Sequence, residues 1–344
     1  MHDCKREDVL SGAALHAGRW KRLFEREASA AHAWRFSNAS ATWAESCGIA
    51  AQWLWAPATC SLPALPDPER LCREDRPLVL VGDSLTRGLF VGLVTALHST
   101  AAGPCSLGAS PDWPGTFDEV DRSTATVMQL RCTAGPCSKT TVLWVRNDFL
   151  CPVCSGAHTR YPYEFSRPQV GLAKLARWVA AKWPDKSAVV MLATGTWWSW
   201  SLRDMPTARN GTNPRLPLPE VEALFRSTVE DAFRVVVKVA RQVIHRMDFP
   251  GHLDDCLEVA RRPLAVSPHL HGTPQPYERQ QIYVLNRFTA ATCQRHAACD
   301  TLDVSHLSSL RPDAHRIYKN DCVHWCTRGE PVYSWVLLLA AMLS

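Results

Sequence analysis

Fourteen cysteines in a chain of 344 residues limit what this sequence can become more than any other feature. They stand at positions 4, 47, 60, 72, 105, 132, 137, 151, 154, 256, 293, 299, 322 and 326. A structural zinc site needs ligands at short, repeated spacing, typically two C-x-x-C knuckles or one knuckle followed by paired histidines. Only one C-x-x-C occurs, at Cys151 and Cys154. An even number of scattered cysteines reads instead as a disulfide framework, which persists in an oxidising compartment. Two sequons, Asn38-Ala39-Ser40 and Asn210-Gly211-Thr212, agree with such a compartment. The opening Met1-His2-Asp3-Cys4-Lys5-Arg6 has no apolar stretch behind it. A leader or membrane anchor outside this chain is therefore expected.

Hydrophobic residues make up 46% and charged residues 21%, the balance of a globular chain. No apolar run approaches the roughly 18–20 residues of a membrane helix. The longest, Val336 to Leu343, reads as a buried terminal helix. A net charge of +5 is mild, and the basic residues are spread out rather than gathered on a stripe, which argues against a nucleic-acid partner.

Residues 1–70 are rich in Ala, Trp and Cys and read as a small module held by Cys4, Cys47 and Cys60. The module ends in an extended connector, Leu62-Pro63-Ala64-Leu65-Pro66-Asp67-Pro68. Residues 71–344 carry an α/β pattern. Short apolar runs predict buried strands at 77–81, 141–145, 188–192, 264–267 and 301–304. Helical spacing predicts helices over 85–97, 168–183 and, longest, 219–247. This alternation predicts a parallel sheet with helices on both faces.

Open parallel sheets carry their sites at the carboxyl ends of strands. The first predicted strand ends in Gly82-Asp83-Ser84. Gly82 permits a tight turn, Ser84 Oγ would stand clear of the sheet, and the amides of the next helix would face an oxyanion. The plainer alternative is a helix N-cap, a position Ser and Asp both favour. A nucleophilic Ser needs a base and an orienting group. Asp321-Cys322-Val323-His324-Trp325-Cys326 offers both, with Asp321 and His324 on one turn. A zinc site of Cys322, His324 and Cys326 is the weaker reading, because so short a segment suits tetrahedral coordination poorly. Asp313 and His315 are expected to brace the loop before this segment. Trp197, Trp198 and Trp200 follow a predicted strand end, where each either walls a cleft with its aromatic face or packs in the core.

Six segments together resemble one family. They are Gly18-Arg19-Trp20, Trp53 to Pro63 (WLWAPATCSLP), Val81-Gly82-Asp83-Ser84-Leu85, Thr194-Gly195-Thr196-Trp197-Trp198, Leu310 to His315 (LRPDAH) and Asp321 to Cys326. In this order they resemble the plant and algal trichome-birefringence-like proteins of the PC-esterase group, within the SGNH (GDSL-like) esterases. The resemblance implies a three-layer α/β/α SGNH-hydrolase-like sheet with a disulfide-held N-terminal module. It also implies a Golgi-lumenal enzyme that acetylates polysaccharide hydroxyls through an acyl-serine.

Carried over by motif, Ser84 is the nucleophile, His324 the base and Asp321 its orienter. An acetyl donor is required, no cofactor or metal is bound, and the partner is a polysaccharide or oligosaccharide acceptor. The chain departs from the family pattern at Ala193, where an Asn is usual. Oxyanion contacts then fall to the N–H of Ser84 or Gly195 or to the side chain of Asn147. Thr327-Arg328-Gly329 stands where Leu-Pro-Gly is usual, and the Gly-Arg-x-Asp before Trp53 is absent. Trp197, Trp198 and Arg87 are the substrate-binding candidates. An acetyl-esterase with the same triad and a non-catalytic carbohydrate-binding or wall-structuring protein are the rival readings.

Overall fold

Four of the five apolar runs read from the sequence, those at 77–81, 141–145, 188–192 and 301–304, meet in a single mixed sheet. The structure, a computed structural model, describes residues 2–22, 53–63, 66–98, 105–108, 127–152, 169–201, 218–247, 249, 251–252, 256, 263–264, 281–316, 321–326 and 329–344. Its first elements are β1 (His2–Asp3), α1 (Arg6–Leu10), α2 (Ala13–His16), β2 (Gly18–Arg22), β3 (Trp53–Pro57), β4 (Cys60–Ser61) and α3 (Pro68–Leu71). There follow β5 (Leu78–Gly82), α4 (Ser84–His98), β6 (Cys105–Gly108), β7 (Val127–Cys132), β8 (Val142–Arg146), α5 (Leu172–Lys182), β9 (Val189–Leu192) and α6 (Thr196–Ser201). The last are α7 (Leu218–Val236), β10 (Gln242–Met247), α8 (Gln281–Gln294), β11 (Cys299–Asp303), α9 (Ser305–Ser309), β12 (His315–Arg316), β13 (Asp321–Trp325) and α10 (Val332–Met342).

The large sheet has the order β11-β10-β9-β5-β8-β7-β6. From β11 to β8 the pairs are parallel, and β8/β7 and β7/β6 are antiparallel. The all-parallel expectation therefore holds for five strands and fails at one edge, where Cys105 faces Cys132 in register and is bonded to it. β5 sits between β8 and β9, so the chain turns to opposite sides after its central strand. That is the switch point at which such sheets open a crevice.

Alternate residues feed two apolar cores, as the period of two along a strand requires. Leu78 and Leu80 of β5 pack with Leu89, Leu93 and Leu97 of α4 and with Val336 and Leu339 of α10. Val79 and Val81 pack with Leu175 and Val179 of α5 and with Phe225, Val229 and Phe233 of α7. Each such buried side chain contributes about 1.5–3 kcal/mol. The terminal helix α10 is buried throughout its length, as its composition predicts.

The helix expected over 219–247 is in fact α7 followed by the strand β10. Val243 and Ile244 continue the helical stripe in projection. Their β-branched side chains instead fill a strand between β9 and β11. Leu264 lies outside the strands and donates its N–H to Leu310 O, and the rest of 264–267 falls outside the described residues.

Cys4–Cys60 closes the N-terminal segment, beside the parallel pairing of β1 with β4. Trp55 donates to Ala14 O at 2.8 Å and Trp20 to Leu307 O at 3.2 Å, so this segment shares the α10 core. Cys47, Asn38 and Asn210 lie outside the described residues.

His245 of β10 is fully buried, and desolvation lowers its pKa to about 4. The unfolded chain takes up this proton near pH 6.5, so His245 costs stability as pH falls from about 6.5 toward 4. His16 acts the other way. Its hydrogen bond to Asp303 raises its pKa, and that contribution is present at low pH and lost as pH rises. Between pH 7 and pH 5, His245→Leu should lose about 2 kcal/mol less stability than the wild type, read by urea unfolding. Equal losses in the two proteins would rule the effect out.

Candidate active site

The turn after β5 is built by close approach. A Cβ at Gly82 would fall 2.3 Å from Thr86 Oγ1 and 2.7 Å from Ala193 O. Asp83, fully buried, caps α4: its Oδ1 accepts from Leu85 N at 2.9 Å and Thr86 N at 3.3 Å. The capping role considered for Ser84 thus belongs to Asp83. Ser84 is the first residue of the helix, half-buried at the carboxyl edge of the central strand.

Across 240 residues of sequence, Ser84 Oγ and His324 Nε2 lie 2.7 Å apart. At that distance the hydroxyl proton can pass to a neutral imidazole. His324 is held by its strand. β13 pairs antiparallel with β12 across a register irregularity, and Cys322 is bonded to Cys256. The segment Asp321–Trp325 is therefore extended rather than one turn, its Cys, Val and Trp side chains favouring a strand. The side chain of Asp321 lies outside the described residues. Cys322 and Cys326 are both in disulfides, so neither sulfur is available as a thiolate ligand for zinc.

Behind β13 runs a buried chain of imidazoles. His252 Nε2 donates to Ser309 O at 2.8 Å, His252 Nδ1 lies 2.6 Å from His315 Nε2, and His315 Nδ1 donates to the carbonyl oxygen of His324 at 3.2 Å. The His315 ring stacks on Trp325 with centroids 3.9 Å apart. Asp313 pairs with Arg311 at 2.8 Å, both buried, and the Arg311 guanidinium lies 4.5 Å from the Trp20 ring. Asp313 and His315 thus brace the loop before β13. His252 had no local sequence signal, since its partner lies 63 residues away.

Two expected site residues serve elsewhere. Asn147 donates both amide hydrogens, to Cys151 O at 3.0 Å and Val170 O at 2.9 Å, and its Oδ1 accepts from Cys151 N. Its side chain is committed to the loop after β8 and is not an oxyanion donor. Trp198 is 1% exposed, packed edge-on against Phe149 and Phe225, so it offers no face to a sugar.

Trp197 is half-buried beside Phe149, and the Trp200 side chain falls outside the described residues. Gly195 follows β9, whose Leu192 pairs with Val81, at the same sheet edge as Ser84. Arg87 is half-buried on the first turn of α4 and does not line the cleft beside Ser84. That cleft is lined by Ser84, Leu85, Gly88, His324, Trp325, Val332 and Trp335. Gly88, Val332 and Trp335 carry no motif that the sequence analysis singled out.

The PC-Esterase family, described as the GDSL/SGNH-like Acyl-Esterase family found in Pmr5 and Cas1p, matches residues 70–342. Protein trichome birefringence-like 13 of Arabidopsis thaliana is 25% identical over 312 residues, covering 80% of this chain and 70% of that protein. Protein trichome birefringence-like 12 is 23% identical over 327 residues, covering 85% and 74%. Xyloglucan O-acetyltransferase 1 of the same plant is 29% identical over 145 residues, covering 35% and 32%.

Proposed function

This chain belongs to the PC-Esterase family, and on that premise we propose that it transfers an acetyl group to a polysaccharide hydroxyl through an ester on Ser84. The observation that carries the reading is the 2.7 Å contact between Ser84 Oγ and His324 Nε2 at the switch point of the sheet. In the proposed reaction Ser84 Oγ attacks the acetyl carbonyl and its proton passes to His324 Nε2. The donor's leaving group departs with that proton. A sugar hydroxyl then gives its proton to Nε2 and attacks the acyl-serine; the Oγ–acyl bond breaks and Ser84 Oγ takes that proton back from Nε2. Asp321 is assigned to hold the His324 tautomer, and the N–H groups of Ser84 and Gly195 to meet the oxyanion.

Trp197, half-buried, and Arg87 are assigned to the acceptor side. The donor is a carrier of activated acetyl, with no bound cofactor. Residues 1–70 and 71–344 are read as a module and a catalytic domain with three-layer α/β/α order. The expected location is the lumen of the secretory pathway, in the Golgi, in keeping with the disulfides. Among the described residues no helix is long and apolar enough to cross a membrane.

Hydrolysis is the second reading. It uses the same acyl-serine, and the half-buried Ser84 leaves a path for water. The test supplies para-nitrophenyl acetate with isotope-labelled acetyl, with and without xyloglucan oligosaccharides. The expected result is label on the Ser84 peptide and, with acceptor present, on the oligosaccharide. Label released only as free acetate assigns hydrolysis, and an unlabelled Ser84 peptide overturns both readings.

A further inference from the structure

We propose that the cleft formed by Leu85, Gly88, Trp325, Val332 and Trp335 is an acyl pocket that limits the group carried on Ser84 to two carbons. The inference rests on the Ser84 ester proposed above. It adds which residues choose the acyl group and how.

The cleft opens directly beside the Ser84–His324 pair and holds about 10 Å³ of space open to the centre of a water molecule. That is about the least that admits one water. A methyl group is of similar size, and a propyl group is not. Apart from Ser84 and His324, its walls are hydrocarbon and aromatic, which suits a methyl and not a charged group.

The walls do not yield. Leu85 is 4%, Trp325 3%, Val332 1% and Trp335 2% exposed. Trp335 is fixed on three sides: its Nε1 donates to Ser308 Oγ at 3.1 Å, Trp325 meets it edge-on at 6.3 Å, and the Arg246 guanidinium lies 5.1 Å from its ring. Trp325 is in turn stacked on His315. Forcing extra methylenes among side chains packed in this way costs rotamer and backbone strain.

Gly88 sets the floor. It lies four residues after Ser84, one turn along the same face of α4. Cα–Cβ bonds in a helix lean toward its N-terminus, so any side chain at position 88 would lean toward Ser84. The space exists because position 88 has none.

The test follows acylation of the full chain by para-nitrophenyl esters of formate, acetate and butyrate. In each case the Ser84 Oγ–carbon bond forms, the ester C–O bond breaks, nitrophenolate leaves with the electron pair, and the Oγ proton goes to His324. Wild type should acetylate at least about 100-fold faster than it butyrylates. Val332→Ala should cut that preference about tenfold. Gly88→Val should slow acetylation about 100-fold and formylation, which brings no methyl, by about tenfold less, so the formyl-to-acetyl rate ratio rises.

Equal acetyl and butyryl rates in the wild type would overturn the pocket and leave the Ser84 ester standing. So would a Val332→Ala preference equal to wild type, or equal loss of formylation and acetylation in Gly88→Val. If no ester labels Ser84 in the wild type, the underlying reading fails instead.

Discussion

Ser84→Ala should lower acyl transfer by on the order of 10⁴–10⁶-fold and leave the fold and its stability close to wild type. Two adjacent residues divide the work here. The hydroxyl of Ser84 faces His324 Nε2, and the first-turn amides of α4 are satisfied by Asp83. Removing the hydroxyl therefore removes the attacking atom without uncapping the helix. Asp83→Ala is the contrasting variant. It should cost about 1–2 kcal/mol through loss of the cap, and it displaces Ser84 along with the turn. Mass spectrometry of the active-site peptide after para-nitrophenyl acetate, beside thermal unfolding of both variants, separates the two effects. Acetyl label elsewhere at the wild-type rate in Ser84→Ala would remove Ser84 from the reaction.

Breaking Cys256–Cys322, by changing both to Ala, should damage stability and chemistry together. The bridge closes a separation of 66 residues, so its loss frees the unfolded chain by about 4 kcal/mol on loop entropy. The same bridge anchors β13 two residues before His324. The segment bearing Cys256 leans on β13 in other ways. Gly251, at φ +87°, packs so closely that a Cβ would fall 2.7 Å from Cys322 O, and His252 N donates to that oxygen at 3.0 Å. A displacement of about 1 Å at His324 is enough to cost about 100-fold in rate. The expected result is a melting temperature lower by several degrees and an acylation rate lower by about 10- to 100-fold. An unchanged rate at a temperature where the variant is still folded would show that the bridge stabilises the protein and does not position the base.

What could be read from the sequence was local. Gly82-Asp83-Ser84 announces itself because strand, glycine and capping residues are contiguous. Asp321 to Cys326 does so because an acid, a histidine and the two Cys and one Trp that lock the loop stand within six residues. The buried strands near 77–81, 141–145 and 188–192 follow from runs of Val and Leu too short for helices. Failures came where one pattern serves two structures. The apolar stripe of α7 continues in projection into Val243 and Ile244, which belong to β10. Asn147 sits at a strand end like an oxyanion donor, yet it spends its amide on its own loop. Trp198 neighbours Trp197 in sequence but turns into the core, since adjacent helical residues face different ways. The walls of the Ser84 cleft come from α4, β13 and α10, and nothing in sequence spacing unites position 88 with positions 325, 332 and 335.

The imidazole chain behind His324 obeys a count of protons. Two neutral rings carry two N–H groups between them. The contacts from Ser309 O through His252 and His315 to His324 O are three, and each needs one hydrogen. The outer two end on carbonyl oxygens, which only accept, so both outer nitrogens must donate. The middle contact, nitrogen to nitrogen, then needs a third hydrogen that a neutral pair does not have. With a third proton every contact is made and the pair carries one positive charge, shared across a 2.6 Å gap. With two protons one contact is empty, at the Ser309 end, in the middle or at the His324 carbonyl. The hold on the strand that bears His324 thus comes down to an integer, the number of hydrogens on four nitrogens.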